Sequence, residues 1–232
     1  HYSPRTEQAY TYWIRQFIRF HDRRHPRELN KMEVEAFLSS LATQRNLAPS
    51  SQNQALAAIL FLYKVVLEMD LPWLDGVVRA KKSRRLPTVL NRDEVRAILR
   101  ELPPPVDLMV RLLYGTGMRQ MELLCLRILD VDFPLRQIVV RHGKGDKDRV
   151  VPLPQSCVEA LQEQIAFVRR VHLLDRAADL AGVELPHALA KKYPEAGKSL
   201  GWHWVFPMDH PAKDPRSGVI RRHHYYPQTL AR

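Results

Sequence analysis

Apolar residues in the first 70 positions recur three or four residues apart, which is the spacing of one face of an α-helix. The first such run contains Tyr10, Trp13, Ile14, Phe17 and Ile18. A second predicted helix begins at Asn30, whose spacing to Glu33 is that of a capping box. A third opens between Pro49 and Ser51 and must end before Pro72. This pattern predicts a compact bundle of three or four helices.

The helical pattern resumes near residue 91, after a basic stretch. Asn91 and Glu94 again have capping-box spacing and predict the start of a helix. A further helix is predicted over about residues 105–114, and it stops at Gly115. The helix that follows carries Arg119 near its start.

Downstream of Arg119 the pattern changes to a period of two, which is typical of β-strands. The stretch QIVVRHGKGDKDRVVPLP has two short β-branched runs around a turn rich in Gly and Asp, which predicts a β-hairpin. A helix of about 20 residues follows, and residues 185–215 are irregular. The predicted fold class is mainly α with a small β-hairpin or sheet: a helical N-terminal domain and then an α+β domain.

The stretch VVRAKKSRRLPTVL separates the two patterns and is the best candidate linker in the chain. It has no acidic residue, and its basic residues are Arg79, Lys81, Lys82, Arg84 and Arg85. We predict a helical domain over residues 1–71, a basic linker over 72–87 and a second domain over 88–232. The linker is either a solvated hinge or a strap along a phosphate backbone, and the overall charge favours the strap.

The composition is that of a globular protein with a large basic excess. The 232 residues are 45% hydrophobic, and 36 Lys and Arg against 25 Asp and Glu give a net charge of +11. This excess favours polyanions, either nucleic acid or an anionic membrane surface. No apolar run approaches the roughly 18–20 residues of a spanning helix, and no predicted helix has a dominant Lys/Arg face, so we expect no membrane partner. Cys125 and Cys157 lack metal-ligand spacing, which favours reduced thiols in a cytoplasm.

The stretch GTGMRQMELLCLR contains the first candidate for chemistry. Glycines on both sides of Thr116 permit positive φ and a close approach of the backbone to a ligand. Arg119 offers a fork of donors that suits phosphate oxygens, and Glu122, three residues on, lies on the same helical face. The spacing alone leaves two interpretations open, an ordinary surface ion pair or a positioned anion clamp.

A second candidate is Lys144, in the GKG of the predicted hairpin turn, with Lys147 and Arg149 three and five residues on. A lysine on such a turn can contact a phosphate or protonate a leaving oxygen. A solubilising turn is the simpler interpretation of an isolated GKG. The Gly-x4-Gly-Lys-Ser/Thr spacing of a nucleotide-binding P-loop is absent from the chain.

Histidines and aromatic residues cluster toward the end of the chain. The histidines of this region are His203, His210, His223 and His224. Their spacing matches no zinc motif, so we predict no metal and no other cofactor. Trp202 and Trp204, beside histidines and basic residues, suit stacking on unpaired bases. The alternative is that the tryptophans belong to the core, which we expect of at least one of them.

Two of these motifs together resemble a known family. LLYGTGMRQMELLCLRILDVDF, followed by IVVRHGKGDKDRVVPLP, looks like a tyrosine recombinase, and the helical first segment resembles that family's core-binding, SAM-like domain. More narrowly, HYSPRTEQAY, ALAKKYP, WHWVFP and DPRSGVIRRHH resemble the integron integrases. Those enzymes carry an insertion in the catalytic domain, which would span about residues 183–216 here.

The resemblance implies cleavage and rejoining of DNA at specific sites. In this family a tyrosine attacks the scissile phosphodiester and gives a 3′-phosphotyrosine and a free 5′-hydroxyl, without a metal or a nucleotide. The motif match implies that Arg119 stabilises charge on the phosphate, that Glu122 supports it and that Lys144 protonates the leaving 5′-oxygen. It further implies that the two domains clasp DNA, and that a homotetramer acts on two DNA sites in the cytoplasm of a bacterium.

For the insertion, the resemblance implies contacts with extrahelical bases of a folded single-stranded recombination site, in addition to duplex DNA. The residues at the matching positions are Trp202, Pro215, His223 and His224. An enzyme of this type integrates and excises gene cassettes.

The sequence also departs from the family pattern. Met121 in RQME replaces a residue that is usually small and polar, a change that we expect to be tolerated. The chain begins without a methionine, and no His-x-x-Arg lies between Arg119 and Tyr225, so neither Tyr225 nor Tyr226 matches the nucleophile. We therefore expect a fragment that lacks both ends of the enzyme and cannot cleave DNA by itself. The alternative from another class is a DNA-binding protein that reuses the recombinase fold without chemistry.

Overall fold

The computed structural model describes residues 4–71, 74, 76–80, 88–141, 147–186, 189–215 and 217–230. The chain divides into two compact units, His1–Thr88 and Val89–Arg232. None of the described helices is both long enough and apolar enough to cross a membrane.

The described residues of the first unit form three α-helices. They are α1 (Pro4–Phe20), α2 (Lys31–Thr43) and α3 (Pro49–Phe61), and α3 continues as a π-helical turn over Leu62–Val66. The predicted capping box begins α2, because the Asn30 side chain accepts from the helix and Glu33 Oε2 lies 2.9 Å from the Asn30 N–H. The helices bury their apolar faces against one another around Trp13, Phe17, Val34, Phe37, Leu38, Leu41, Ala55, Ile59 and Tyr63. The predicted helical bundle is confirmed.

The second unit packs helices against a three-stranded antiparallel sheet. The helices are α4 (Arg92–Glu101), α5 (Val106–Thr116), α6 (Gln120–Leu124) and α7 (Val158–Ala177). The strands are β1 (Val131–Asp132), β2 (Gln137–Val140) and β3 (Arg149–Pro152), in that spatial order. Ile138 pairs with Val151, and both face the core with residues of α5, α6 and α7. Because α6 and β3 share this core, their first residues lie near each other.

The segment after α7 consists of short elements. They are α8 (Leu189–Lys192), the paired strands β4 (Ala212–Lys213) and β5 (Ile220–Arg221), and α9 (Pro227–Leu230). Val205 and Phe206 from this segment are fully buried in the core of the second unit. The segment is therefore mostly irregular, as predicted, and it is also part of the core.

Two details differ from the prediction. Helix α5 runs two residues further than predicted, to Thr116, and Gly117 with φ 64° is the left-handed residue that ends it. Gly115 lies within the helix, where an added Cβ would come 2.5 Å from Pro154 Cγ. Gly115 thus permits close packing, whereas Gly117 makes the turn. Strand β1 adds a third strand to the predicted hairpin, and at two residues it is too short to show a period in the sequence.

Candidate functional site

Arg119 lies where the chain turns out of α5 and into α6. Its backbone N–H donates to Glu122 Oε2 at 2.8 Å, and its Nη1 donates to Glu122 Oε1 at 2.6 Å. The predicted contact between these two side chains is confirmed. Arg119 lies at the start of the helix, as predicted: it is the N-cap residue of α6, with extended backbone angles. Glu122, in the first turn of α6, holds its side chain.

A second arginine, which sequence reasoning did not select, completes the site. Arg149 begins β3, and its Nη1 and Nη2 donate to Oε1 and Oε2 of Glu122 at 2.9 and 2.6 Å. Side chains alternate along a strand, so Arg149 shares a face with the buried Val151. A charged residue on the inward face of a strand needs a partner. The alternation of inward and outward residues along β3 is thus the sequence signal that could have identified Arg149. We refer to Arg119, Glu122 and Arg149 as the Glu122 cluster.

The Glu122 carboxylate is buried and ionised. Its side chain is 8% exposed, and its pKa is lowered to about 2, chiefly by the hydrogen bonds from Arg149 and then by those from Arg119. The same contact raises the pKa of Arg149. Two guanidiniums around one carboxylate leave one net positive charge. Arg119, with 54% of its side chain exposed, presents that charge to solvent, where an anion can bind it.

The predicted hairpin is confirmed by the antiparallel pairing of β2 and β3. Lys144 lies outside the described residues, so its role as proton donor to the leaving oxygen stays a prediction. Lys147, predicted to bind DNA, is exposed just before β3.

Arg79 is the member of the predicted basic strap that the structure describes. It is exposed, and the backbone on both sides of it is anchored to α3. Gln52 Nε2 donates to the Val78 carbonyl at 2.7 Å, and the Ala80 N–H donates to Gln52 Oε1 at 3.1 Å. One buried amide thus fixes the position from which Arg79 extends. The other predicted strap residues lie outside the described part of the chain: Lys81, Lys82, Arg84 and Arg85.

Two tryptophans of the predicted insertion flank a buried arginine, Arg127. Trp204 is 6% exposed, as expected of one of the pair, whereas Trp202 is partly exposed. The guanidinium carbon of Arg127 lies 3.9 Å from the centre of the Trp204 ring and 5.3 Å from that of Trp202. Sequence reasoning missed Arg127, because its partners are remote in the chain and local spacing carries no trace of them.

The predicted base-contacting residues other than Trp202 lie on the chain around β5. The His224 ring is edge-on to the Trp204 ring, with centroids 5.4 Å apart, and His223 Nε2 lies 3.3 Å from the Ala212 carbonyl oxygen. Both imidazoles are partly exposed, and Pro215 is exposed on the β4–β5 connection. Trp204 is thus contacted by Arg127, which also stacks on Trp202, and by His224.

Arg222 ties this part of the chain to α7. Its Nε donates to Asp175 Oδ2 at 2.6 Å, and its Nη1 donates to the carbonyls of Met208 and Asp209 at 2.8 Å each. His203 Nε2 lies 3.7 Å from the same Asp175 carboxylate, and burial lowers the pKa of His203, which favours the neutral imidazole. His203 is 3% exposed and therefore belongs to the core.

The described part of the chain contains no group of three or more His, Cys, Asp and Glu residues that could hold a metal ion. Both cysteines are free thiols, Cys125 exposed and Cys157 buried. The chemistry that the described residues offer is therefore that of guanidinium, carboxylate, imidazole and aromatic groups.

A helical unit, a basic connection and an α+β unit that presents a held arginine define a class of protein suited to a phosphate-containing polyanion. Comparison with known families identifies this class of protein more specifically. The pattern described as "Phage integrase, N-terminal SAM-like domain" matches residues 1–73, and that of the "Phage integrase family" matches residues 88–179. Two proteins named integrase/recombinase, from Escherichia coli and Pseudomonas aeruginosa, are each 54% identical over 232 residues, all of this chain and 69% of their own length. The chain belongs to the phage integrase family of tyrosine recombinases, which perform site-specific recombination.

A solved structure supports the same fold. The Tn1549 transposon integrase in complex with transposon right end DNA has a TM-score of 0.59 and 14% identity, over 90% of this chain and 67% of that chain. At this identity the likeness concerns the fold alone. Together with the family matches it confirms the predicted fold class, mainly α with small antiparallel sheets, in which a SAM-like domain precedes a recombinase catalytic domain.

Proposed function

We propose that the second unit binds the scissile phosphate of DNA through Arg119, in a recombinase of the integron integrase type. The observation that carries this proposal is the geometry of the Glu122 cluster. Arg119 is oriented by a buried carboxylate, yet the cluster keeps a net positive charge because Arg149 shares that carboxylate. Donors fixed in advance at the position where negative charge develops are the most effective form of electrostatic catalysis.

In the proposed reaction a tyrosine oxygen attacks the phosphorus, and the bond to the 5′-oxygen breaks as the phosphotyrosine bond forms. Arg119 stabilises the charge on the non-bridging oxygens. Lys144 donates the proton that the leaving 5′-oxygen needs. Rejoining reverses both steps and requires no external energy source, because the phosphotyrosine retains the energy of the phosphodiester.

The proposed DNA-binding arrangement involves both units. Residues 1–71 and 88–232 hold duplex DNA between them, and the basic residues of 72–87 lie along its backbone. The exposed Arg79, on a backbone fixed by Gln52, supports this arrangement. In the assembled enzyme, four copies act on two DNA sites in the cytoplasm of a bacterium.

The integron-type assignment rests on the insertion. We propose that Trp202, Pro215, His223 and His224 contact extrahelical bases of a folded single strand. The Arg127 guanidinium supports the partly exposed Trp202 ring, and the buried Trp204 contacts the partly exposed His224 ring; both partly exposed rings are suited to stacking on unpaired bases. Such an enzyme integrates and excises gene cassettes.

Neither Tyr225 nor Tyr226 serves as the nucleophile in this proposal, because no His-x-x-Arg lies between Arg119 and Tyr225. Tyr225 packs against the core, and its N–H donates to the Phe206 carbonyl at 2.8 Å. We expect the 232-residue chain alone to form no covalent adduct with a nicked suicide substrate. A protein–DNA adduct that survives denaturing electrophoresis would contradict this.

The alternative function is DNA binding without chemistry, and substitution of Arg119 separates the two. In a recombinase that combines this segment with a nucleophilic tyrosine, Arg119→Ala should reduce the cleavage rate about 100- to 1,000-fold, because one preorganised donor is lost. Its DNA affinity should fall only a few-fold. The matched control is Arg136→Ala, a surface arginine that contacts Gln155. Cleavage that survives while binding collapses would overturn the catalytic role of Arg119.

A further inference from the structure

Arg127 is buried without a carboxylate on its guanidinium in the described part of the chain. The residue is 7% exposed, and burial lowers its pKa to about 10, which leaves it charged at neutral pH. Nη1 donates to the Trp202 carbonyl at 2.7 Å and Nη2 to the Glu184 carbonyl at 2.8 Å. Burying a guanidinium costs free energy. The groups to which it donates therefore indicate which part of the fold it stabilises. Both carbonyls belong to the predicted insertion.

The backbone of Arg127 joins the same two regions. It pairs with Trp204 in an antiparallel bridge, the Ile128 N–H donates to the His203 carbonyl at 3.1 Å, and the Val205 N–H donates to the Leu126 carbonyl at 2.9 Å. Arg127 also follows α6 closely, eight residues after Arg119. Arg127 therefore connects the chain just after α6 to the segment that carries Trp202 and Trp204.

The two regions also share a cleft of about 310 Å³. Its lining includes Met121, Glu122, Cys125, Arg127, Trp202 and Trp204. The stacked guanidinium supports the Trp202 ring from within, and its hydrogen bond to the Trp202 carbonyl fixes the backbone from which the ring extends. Arg127 thus contacts Trp202 through both its ring and its backbone carbonyl.

We propose that Arg127 is a positioning residue that sets the orientation of Trp202 and so determines the preference of this protein for DNA with an extrahelical base. The inference rests on the proposed function, in which Trp202 stacks on such a base. Arg127 itself touches no DNA in this account. Lysine cannot replace it, because an ammonium lacks the planar fork that reaches two carbonyls while it stacks on two rings.

The test measures DNA binding of the 232-residue chain by fluorescence anisotropy with two probes. One is a folded single-stranded hairpin with one extrahelical thymine, and the other is the same hairpin with that base deleted. We expect the unmodified chain to prefer the first about tenfold, consistent with one stacked base. Trp202→Ala should abolish the preference, and Arg127→Lys should reduce it to about twofold. Affinity for the base-deleted hairpin should change less than twofold.

The double variant decides how Arg127 acts. If Arg127 works through Trp202, then Arg127→Lys should change nothing further in the Trp202→Ala background. The matched control is Arg170→Lys, an arginine near the Phe167 ring on α7, which should keep the full preference. Circular dichroism and thermal unfolding establish that each variant folds. If Arg127→Lys does not fold, Arg127→Gln takes its place in the same cycle.

An equal loss of affinity for both hairpins would overturn the inference, and so would additive effects of the two substitutions. A preference that Trp202→Ala abolishes but Arg127→Lys does not would remove this inference and leave the integron-type proposal in place. An unmodified chain without any preference would contradict both.

Discussion

Arg119 and Arg127 stand at opposite ends of the α6 segment, and the protein uses their guanidiniums in opposite ways. Arg119 is held by a carboxylate and has 54% of its side chain exposed. Arg127 is 7% exposed, and it donates to main-chain carbonyls and stacks on two rings. An arginine with its partner on one side offers its charge to a ligand, whereas an arginine surrounded by partners organises the protein. Burial and partner type, rather than residue identity, thus distinguish Arg127, which the fold encloses, from Arg119, which we propose binds a phosphate.

The largest expected effect is a difference in stability between variants of the two arginines. Arg127→Ala should lower the free energy of unfolding by about 2–4 kcal/mol, because it leaves two partly buried carbonyls without their donors and a void beside two tryptophans. Arg119→Ala should lower it by less than about 1 kcal/mol, since its side chain is half exposed. Urea denaturation of the two variants measures both values. Equal losses would show that the two arginines do not differ in the way we describe.

An intermediate effect concerns the carboxylate that holds Arg119. The pKa of Glu122 is about 2 in the folded protein against an ordinary value of 4.5. A lowered folded-state pKa adds stability above the unfolded value, and this contribution disappears as the pH falls from about 4.5 toward 2. We expect Glu122 to account for about 2–3 kcal/mol of the acid sensitivity of unfolding.

The variant Glu122→Gln tests this expectation, because it cannot titrate. Its free energy of unfolding should vary less between pH 5 and pH 2.5 than that of the unmodified protein. Glu195→Gln is the matched control, since Glu195 is 77% exposed and pairs with Lys198 at the surface. If the Glu122→Gln and unmodified proteins have parallel pH profiles, Glu122 is not the ionised anchor of the cluster.

The smallest expected effect extends the comparison to a third arginine, Arg79, which is exposed and lies in the first unit. If Arg79 contacts a DNA phosphate, Arg79→Ala should lower the slope of log affinity against log salt by about 0.9. Binding titrations at several salt concentrations measure the slope, and stability should not change. An unchanged slope would place Arg79 away from the DNA backbone.

Local structure was predictable from the sequence where its causes are local. The capping boxes at Asn30 and Asn91 and the β2–β3 hairpin follow from residues within a few positions of each other, and all three are confirmed. The end of α5 was ambiguous, because Gly115 and Gly117 both suit a helix end. Only packing against Pro154 determines that Gly115 stays inside the helix.

The site was predictable only in part, because its remaining contacts are long-range. Arg119 and Glu122 are three positions apart, so helical spacing predicted their contact. Arg149 reaches Glu122 from 27 positions away, and the Arg127 guanidinium reaches the Trp202 carbonyl from 75. Such pairs depend on how α6, β3 and the insertion pack around one core, which no local spacing encodes.

The central claim is that Arg119 binds one particular phosphate of the DNA. A methylphosphonate scan tests it directly with the 232-residue chain: each phosphate of a bound hairpin is replaced in turn by a neutral methylphosphonate. At one position the replacement should weaken binding of the unmodified chain about tenfold and change binding of Arg119→Ala by less than twofold, because the contact is already lost. If Arg119→Ala loses as much affinity as the unmodified chain at every phosphate, Arg119 contacts none of them, and the account is wrong.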